Sequence, residues 1–256
     1  MAPAIDAASQ NSKIFVVLPA YDEEDNIGGL LDKIDGAMTE FGLRYQVIVV
    51  DDGSRDRTFE VLQDYSKRIP LTISRHQANQ GLGPTIRDGL LLAAGMAAPS
   101  DFVITMDADE TQSPTLIPRM IEMLREGHDV VIASRYQPGS RVVGLSVARR
   151  IASYGASWLF RMLFPTPGVR DYTCGFRAYR GQVLALAEAK YGARFVEGQG
   201  FQCMVDILLK LRRLDLKFGE APLILRYDLK RGASKMRVAR TIWHTLSLIV
   251  KRRLGS

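Results

Sequence analysis

Short apolar runs alternate with amphipathic stretches through the first half of the chain, and no other feature of the sequence constrains the fold as strongly. The apolar runs are rich in Val, Ile and Phe, are bounded by turn residues and predict buried strands at residues 13–18, 45–50, 71–74, 102–106 and 130–133. The stretches between them predict helices at residues 26–39, 57–68, 84–97 and 114–126. This order predicts an α/β fold, a mostly parallel sheet covered by helices on both faces.

Acidic residues follow three of the predicted strands at the point where each strand ends. The segment after the first strand is Pro-Ala-Tyr-Asp-Glu-Glu, the second strand is followed by Asp51 and Asp52, and the fourth by Asp107 and Asp109. In open parallel sheets, ligands bind beyond the carboxyl ends of the strands. We therefore expect the acidic loops to converge on one edge of the sheet and to form a binding site there.

The spacing of Asp107 and Asp109 allows both carboxylates to face the same side. Paired carboxylates repel unless a cation or a proton lies between them, and Mg²⁺ or Mn²⁺ combines one or two carboxylates with substrate phosphates and water. The pair therefore predicts a metal that binds a diphosphate. The sequence has no Gly-Lys-Ser/Thr phosphate loop, and no Gly-x-Gly-x-x-Gly follows the first strand, which argues against P-loop ATPases and dinucleotide dehydrogenases.

Charge is divided unevenly between the two halves of the chain. Residues 1–130 carry 11 Lys and Arg against 21 Asp and Glu, whereas residues 131–256 carry 23 against 7. An acidic half suits a divalent cation, and a basic half attracts phosphate or an acidic membrane surface. Two segments are basic and amphipathic, at residues 145–164 and 238–253. The uncharged stretch within each is too short to span a bilayer. Each segment therefore predicts a helix that lies in the membrane interface or packs on the protein.

The N-terminus and the cysteines bear on location. Residues 1–12 lack the basic-then-apolar pattern of a signal peptide and are expected to form a loose lead-in. The two cysteines, Cys174 and Cys203, are too few for a disulfide scaffold or a zinc cluster and fit a reducing compartment. We therefore expect a cytoplasmic protein, peripheral on the cytosolic face of a membrane.

Eight short polar motifs follow one another along the chain. They are PAYDEE at 19–24, DDGSRDRT at 51–58, NQGLG at 79–83, DAD at 107–109, SRY at 134–136, RRxxS at 149–153, DYTCGFR at 171–177 and GASK at 232–235. The first four resemble the nucleotide-sugar-binding half of family 2 glycosyltransferases with the GT-A fold, and the last four resemble its dolichol-phosphate mannose synthase and polyprenyl-phosphate glycosyltransferase branch. The resemblance implies one domain at 13–236, with a nucleotide-sugar-binding half (13–133) and an acceptor half (134–236), before a basic amphipathic helix at 237–256.

The resemblance also implies roles for individual residues. Those implied to contact the base and ribose are Pro19, Tyr21, Glu23 and Asp51. Those implied to meet the metal and the diphosphate are Asp107, Ala108, Asp109 and Gln112. Those implied to bind the phosphates and the acceptor are Arg135, Arg149, Ser153 and Lys235. Catalysis would depend on Asp109, Arg135, Arg149 and Lys235.

Two positions depart from the family pattern. The family commonly has Asp-x-Asp-x-Gln with the Gln as a third metal-site ligand, whereas Gln112 comes one place later, so Glu110, Thr111 or Gln112 could take that role. The family often has an Arg three residues before the Gly of Gly-x-Ser-Lys, where this chain has Leu229. The third metal ligand and the last phosphate contact therefore remain open at this point.

The implied reaction is inverting, metal-dependent transfer of a sugar from a nucleoside diphosphate sugar to a polyprenyl phosphate. GDP-mannose is the favoured donor, with UDP-glucose and similar donors open, and a membrane-spanning protein is a further candidate partner. A phosphate acceptor needs no general base, because the second pKa of a phosphate monoester is about 6. A hydroxyl acceptor, the alternative, requires a carboxylate base such as Asp171, Glu197 or Asp206. A non-catalytic basic module for membrane or nucleic acid leaves the acidic strand ends unexplained, and no nucleic-acid partner is expected.

Overall fold

The computed structural model describes residues 12–145, 147–198 and 200–229, without the side chains of residues 147–152. Two predicted segments therefore lie largely or wholly outside the described residues: the loose lead-in at 1–12, of which only Ser12 is described, and the amphipathic helix at 238–253. Lys235 is also outside them.

A seven-stranded sheet forms the centre of the described fold. Its strands are β1 (Ile14–Ala20), β2 (Tyr45–Asp51), β3 (Leu71–Arg75), β4 (Phe102–Thr105), β5 (Val130–Ser134), β7 (Arg177–Arg180) and β8 (Phe218–Pro222). They lie in the order β3-β2-β1-β4-β7-β5-β8. All neighbours pair in parallel except β7, which lies antiparallel between β4 and β5. A separate parallel pair joins β6 (Arg141–Val143) to β9 (Ile224–Arg226).

The five predicted strands are present, with small differences at their ends. β1 and β2 extend to Ala20 and Asp51, because these residues continue the parallel pairing between the two strands. β3 was expected to be buried and is only half-buried, since it lies at the edge of the sheet and pairs only with β2. β7 and β8 come from the second half of the chain, a region without a strand prediction.

Helices flank the sheet, and their apolar faces complete the core. They are α1 (Ile27–Glu40), α2 (Thr58–Tyr65), α3 (Leu82–Met96), α4 (Ile117–Arg125), α5 (Val147–Leu163), α6 (Gly181–Tyr191) and α7 (Gln202–Leu211). In α1, Ile27, Leu30 and Ile34 are buried at helical spacing because this face packs into the core. Two predicted helix starts differ: Pro84 is the third residue of α3, and Pro114 begins a short 3-10 turn before α4.

The packing of helices on the sheet confirms the predicted α/β architecture. α3 packs against β1 and β2, and α4 packs against β5 and β7. The expected division after residue 133 falls within β5, so the two halves of the chain contribute strands to one continuous sheet. No helix among the described residues is long and apolar enough to cross a bilayer.

Candidate active site

The carboxyl ends of β1, β2 and β4 lie side by side. β1 pairs in parallel with both neighbours, and Ala20 at the end of β1 is in register with Asp51 at the end of β2. The three acidic loops therefore meet at one edge of the sheet, as the order of strands predicts. We call this edge, formed by residues 19–24, 51–54 and 107–112, the acidic edge.

Hydrogen bonds connect the loop after β1 to the loop after β2. The Asp22 N–H donates to Ser54 Oγ (3.0 Å), and the Arg55 N–H donates in return to Asp22 Oδ1 (2.8 Å). Asp22 adopts a left-handed backbone conformation with φ of 49°. Such conformations are uncommon for residues other than glycine, although Asp adopts them more readily than most, and the reciprocal hydrogen bonds hold this one in place.

Three of the residues predicted to contact the base and ribose lie at the end of β1 and in the loop after it, and they differ in exposure. Pro19 and Tyr21 are half-buried. Glu23 is buried, and its carboxylate accepts a hydrogen bond from Asn26 Nδ2 (2.8 Å). Glu23 therefore stabilises the start of α1, a contact that the motif does not predict.

Asp51, predicted to bind the edge of the base, is fully buried at the end of β2. One carboxylate oxygen accepts from the Ser54 N–H (2.9 Å), and the other lies 3.0 Å from Arg75 Nε. The Arg75 guanidinium also stacks over the Phe59 ring, 4.2 Å from its centre. Arg75 is thus a partner of Asp51 that sequence reasoning missed, because it lies on a different strand.

Asp107 is held by the side chain of Gln112. The Asp107 N–H donates to Gln112 Oε1 (3.0 Å), and Gln112 Nε2 donates to Asp107 Oδ2 (2.6 Å). Gln112 is buried, and its amide oxygen is engaged by the backbone of Asp107. These contacts orient Asp107 and do not support the expected role of Gln112 as a metal ligand.

Asp109 is held by the turn that follows it. Asp109 Oδ1 accepts from the Thr111 N–H (3.2 Å) and from the Thr111 hydroxyl (2.6 Å). Glu110, at the top of this turn, has φ of 58° and extends to Lys33 on α1, where the two charged groups are 3.2 Å apart. The Glu110 carboxylate is therefore engaged by α1, and Ala108 between the two aspartates is buried.

The donor set at the acidic edge fits a divalent cation that is shared with a substrate. No cluster of three or more His, Cys, Asp or Glu side chains suited to hold a metal is present in the described part of the chain. Asp107 and Asp109 are two carboxylates on one short loop, and Mg²⁺ typically takes one or two carboxylates and completes its shell with phosphate oxygens and water. The residues present thus fit Mg²⁺ or Mn²⁺ with a bound diphosphate.

Arg135, directly after β5, forms a two-point ion pair with Asp171. Arg135 Nε and Nη2 donate to the two Asp171 oxygens (2.8 and 2.7 Å), and Nη2 also donates to the Thr173 hydroxyl. Burial alone would raise the pKa of Asp171, but the adjacent guanidinium lowers it below its ordinary value. Burial disfavours the charged form of Arg135, and the Asp171 carboxylate more than offsets this, so the pKa of Arg135 is raised. Both groups are therefore charged.

A second carboxylate, Glu220 on β8, positions the segment that carries Asp171. Glu220 Oε1 accepts from the N–H groups of Arg170 and Asp171 (2.6 Å each), and Oε2 accepts from Gln137 Nε2 (3.0 Å). The Cys174 N–H also donates to Asp171 (3.1 Å). Asp171 is thus fixed from both sides, and with it the direction of the Arg135 side chain.

The remaining residues predicted on the acceptor side are described unevenly. The Tyr136 hydroxyl donates to the Ser153 carbonyl on α5 (3.0 Å), and the two hydroxyl oxygens lie 2.8 Å apart, so Ser153 lies beside the segment that follows β5. Arg149 lies on α5, in the part of the helix whose side chains the structure does not describe. Leu229, at the position of the missing family Arg, is exposed.

The three carboxylates that could act as a base for a hydroxyl acceptor are all bound in ion pairs. Asp171 is fully buried against Arg135. Asp206 and Glu197 both contact the buried Lys210, at 2.6 and 3.0 Å from its Nζ. None of the three is therefore placed as an accessible, unpaired base.

Tyr227 and Cys174 show that the two sides of the site approach each other. Burial raises the pKa of Tyr227, the charge of Arg135 opposes this, and the charges of Asp107 and Asp109 reinforce it. Burial likewise raises the pKa of Cys174 to about 12, with Asp171, Arg135 and Asp107 all near enough to act on the thiol. Tyr227 is therefore close to Arg135 on one side of the site and to the Asp107–Asp109 pair on the other, and it belongs to no sequence motif.

The helix predicted to contact lipid presents an apolar stripe. On α5, Tyr154, Trp158 and Met162 follow one another every fourth residue and are 55%, 61% and 58% exposed. Phe160 and Phe164, on the opposite side, are buried in the core. α5 is therefore both a packing helix and a helix with an apolar outer face, the two roles that its sequence allows.

Comparison with known sequences identifies a family. The sequence profile of Glycosyl transferase family 2 matches residues 15–185. The chain is 34% identical over 199 residues to a dolichol-phosphate mannosyltransferase of Pyrococcus furiosus, covering 77% of this chain and 53% of that protein. It is 33% identical over 179 residues to an undecaprenyl-phosphate 4-deoxy-4-formamido-L-arabinose transferase of Pseudomonas aeruginosa, covering 67% and 48%. The chain thus spans about half the length of these curated relatives.

Solved structures share the fold. A structure of glucosyl-3-phosphoglycerate synthase from Mycobacterium tuberculosis with Mn²⁺, uridine diphosphate and glucosyl-3-phosphoglycerate matches with a TM-score of 0.70 at 21% identity, covering 98% of this chain and 83% of that chain. The same enzyme with Mg²⁺ and uridine diphosphate matches with a TM-score of 0.68 at 19% identity, covering 98% and 82%. At these identities the likeness shows the fold alone, and it confirms the GT-A architecture that the motifs predict.

Proposed function

The chain belongs to glycosyl transferase family 2, and from that premise we propose that it transfers a sugar, mannose by preference, from a nucleoside diphosphate sugar to a polyprenyl phosphate. GDP-mannose is the proposed donor, in line with the dolichol-phosphate mannosyltransferase that the chain resembles. The second curated relative is also named for a polyprenyl phosphate, so both relatives favour this class of acceptor.

Asp107 and Asp109 are the proposed ligands of Mg²⁺ or Mn²⁺ at the acidic edge. Bound there with the diphosphate, the cation would stabilise the negative charge that develops on the leaving group. Gln112 and Thr111 hold the two carboxylates through the contacts described above, so both carboxylates are oriented before a substrate binds. Fixed charges of this kind need little rearrangement during the reaction.

The observation that favours a phosphate acceptor is the state of the candidate bases. A hydroxyl acceptor must lose its proton, and Asp171, Glu197 and Asp206 are each bound to a cationic side chain. A phosphate monoester is largely dianionic near neutral pH and needs no base. The ion pairs therefore support an acceptor that is already a nucleophile.

On the acceptor side, Arg135 is the proposed phosphate-binding residue. Its Nε and Nη2 are bound to Asp171, which leaves Nη1 to donate to a phosphate oxygen. Arg149, Ser153 and Lys235 are proposed to complete the phosphate site. An acceptor oxygen that attacks the anomeric carbon from the face opposite the diphosphate forms the new C–O bond as the old one breaks, so the anomeric configuration inverts.

The apolar stripe on α5 supports peripheral membrane contact. Tyr and Trp favour the interface between water and hydrocarbon, and a helix with one apolar face can lie in that plane. Tyr154, Trp158 and Met162 form such a face. We place this face on the cytosolic leaflet, where a membrane-spanning partner protein would add a further anchor.

A transfer assay with matched acceptors tests the proposal. The chain is incubated with labelled GDP-mannose or UDP-glucose, with Mg²⁺, Mn²⁺ or a chelator, and with either a short polyprenyl phosphate or the same polyprenol without its phosphate. We expect label in an acid-labile lipid only when phosphate and metal are both present, with inverted anomeric configuration. Transfer to the free polyprenol would favour the hydroxyl-acceptor alternative, and no transfer from any nucleotide sugar would refute the proposed function.

A further inference from the structure

The glycine-containing segment before α3 is held on the acidic edge by the second aspartate of the DDGS motif. Asp52 is buried, and its two oxygens accept from the Gln80 N–H and the Gly81 N–H, each at 2.8 Å. Gly81 has φ of 91°, which a glycine adopts without strain and which turns the chain into α3. Asp52 therefore fixes a loop, residues 76–81, by accepting hydrogen bonds from its backbone.

The same loop packs tightly on the turn after β2. The His76 N–H donates to the Asp51 carbonyl (2.9 Å), and Gly53, with φ of 69°, lies against the backbone of Ala78. A Cβ atom on Gly53 would lie 2.7 Å from the Ala78 carbonyl carbon, so the two segments could not approach this closely with any other residue there. A shift of the loop would therefore displace the turn that holds Asp51.

His76 connects Asp52 to α3 through both ring nitrogens. His76 Nδ1 lies 2.7 Å from Asp52 Oδ1, and Nε2 lies 3.1 Å from Asp88 Oδ2. The ring is almost fully buried, with 8% of the side chain exposed. Arg87 Nε donates to the other oxygen of Asp88 (2.8 Å), so the charged groups around the ring are two carboxylates and one guanidinium.

The two carboxylates at the ring each have further partners. Asp52 accepts two backbone N–H groups, and Asp88 accepts from Arg87. His76 therefore joins a carboxylate that holds the 76–81 loop to a carboxylate on α3.

We propose that His76 is a positioning residue: through its two ring nitrogens it joins Asp52 to Asp88 and so holds the 76–81 loop in the shape that binds the nucleotide donor. The inference rests on the proposed function in one respect, that the donor binds at the acidic edge. Because the loop packs on the turn that holds Asp51, its loss should weaken donor binding more than it changes the chemical step.

The positioning role is tested by affinity for GDP and UDP in the presence of Mg²⁺. We expect H76Q to raise the dissociation constant of the bound nucleotide about tenfold, the effect of losing one charge-assisted hydrogen bond, and to leave kcat at saturating donor within about twofold. The double variant H76Q/D88N should recover most of the affinity, because the introduced amides can donate in sequence toward Asp52. H128Q is the matched control, since His128 contacts the Met123 carbonyl and should leave affinity unchanged.

Unchanged affinity in H76Q, a fall in kcat with unchanged affinity, or a double variant no better than the single would each overturn the positioning role. If the unmodified protein binds neither GDP nor UDP, the proposed function fails, and the role of the loop in donor binding fails with it. An unmodified protein that binds a nucleotide which H76Q binds equally well overturns only the positioning role, so the two failures are distinguishable.

Discussion

Replacing Asp171 with Asn distinguishes the phosphate-acceptor hypothesis from the hydroxyl-acceptor hypothesis, because the two give the Asp171 carboxylate different roles. As a base, Asp171 would take a proton from the acceptor; in the structure it is fully buried and neutralises Arg135. The substitution leaves the shape almost unchanged and removes the negative charge. It therefore leaves a buried guanidinium without its counter-charge.

The expected cost is large for a single substitution. Breaking a buried ion pair by removing one partner typically costs about 3–5 kcal/mol. Only 14% of the Arg135 side chain is exposed, so water can replace little of the stabilisation that the Asp171 carboxylate gives to the guanidinium charge. With a urea m-value of about 2–3 kcal/mol/M for a chain of this size, the unfolding midpoint should fall by about 1–2 M.

Urea unfolding followed by fluorescence measures this shift, and two further variants make it specific. D228N removes an aspartate whose ion pair with Arg226 is exposed, and it should leave the midpoint unchanged. The double variant R135Q/D171N replaces both charges by amides that can bond to each other, and it should be more stable than D171N alone. A D171N protein as stable as the unmodified one but devoid of transfer would refute the structural role and point to base catalysis.

The lowered pKa of Asp171 adds a pH dependence of defined sign. Because the folded carboxyl group binds its proton more weakly than the unfolded one, its contribution is complete above the ordinary Asp value of about 3.9 and is lost as the pH falls below it. The gap in unfolding free energy between the unmodified protein and D171N should therefore narrow below about pH 4. A gap that stays constant down to pH 2 would contradict the ion pair as its source.

Three further predictions follow from the site and its surroundings. D107N should lower kcat with saturating Mg²⁺ by at least about a hundredfold while leaving the fold intact by circular dichroism, and near-normal activity would contradict its place in the metal site. W158S should weaken binding to anionic lipid vesicles about tenfold in a sedimentation assay, whereas L186S, which changes a residue on α6 that is also more than half exposed, should not; equal effects would deny α5 a specific role. Cys174 and Cys203, each with a pKa raised by burial to about 12, should resist alkylation at pH 8 and react after unfolding, and rapid labelling of the native protein by mass spectrometry would show that they are accessible.

The acidic edge was predictable because it depends on local patterns. Each apolar run specifies a strand by itself, and parallel order then brings the carboxyl ends together without further information. Asp107 and Asp109 are likewise only two residues apart in sequence, so their proximity needs no knowledge of the fold.

The ion pairs that define the site were not predictable, because their partners are distant in sequence. Arg75 reaches Asp51 from the next strand, and Arg135 reaches Asp171 across 36 residues of chain. Arg177 also donates to a distant partner, the Met204 carbonyl on α7, and its full burial was not predictable because a charged residue in a short polar run is ordinarily placed on the surface. Such pairings follow from topology and not from motif or periodicity.

The antiparallel position of β7 has a consequence for how the protein is made. β4 and β5 leave the ribosome first, yet both need β7 beside them, so the outer edge of β4 has no strand to pair with until Arg180 has been synthesised. Unpaired strand edges invite association with other chains. In the nascent chain of this protein, the acidic edge is therefore complete while the sheet still lacks β7. Chaperones bound to the nascent chain should not dissociate before residues 177–180 have emerged from the ribosome.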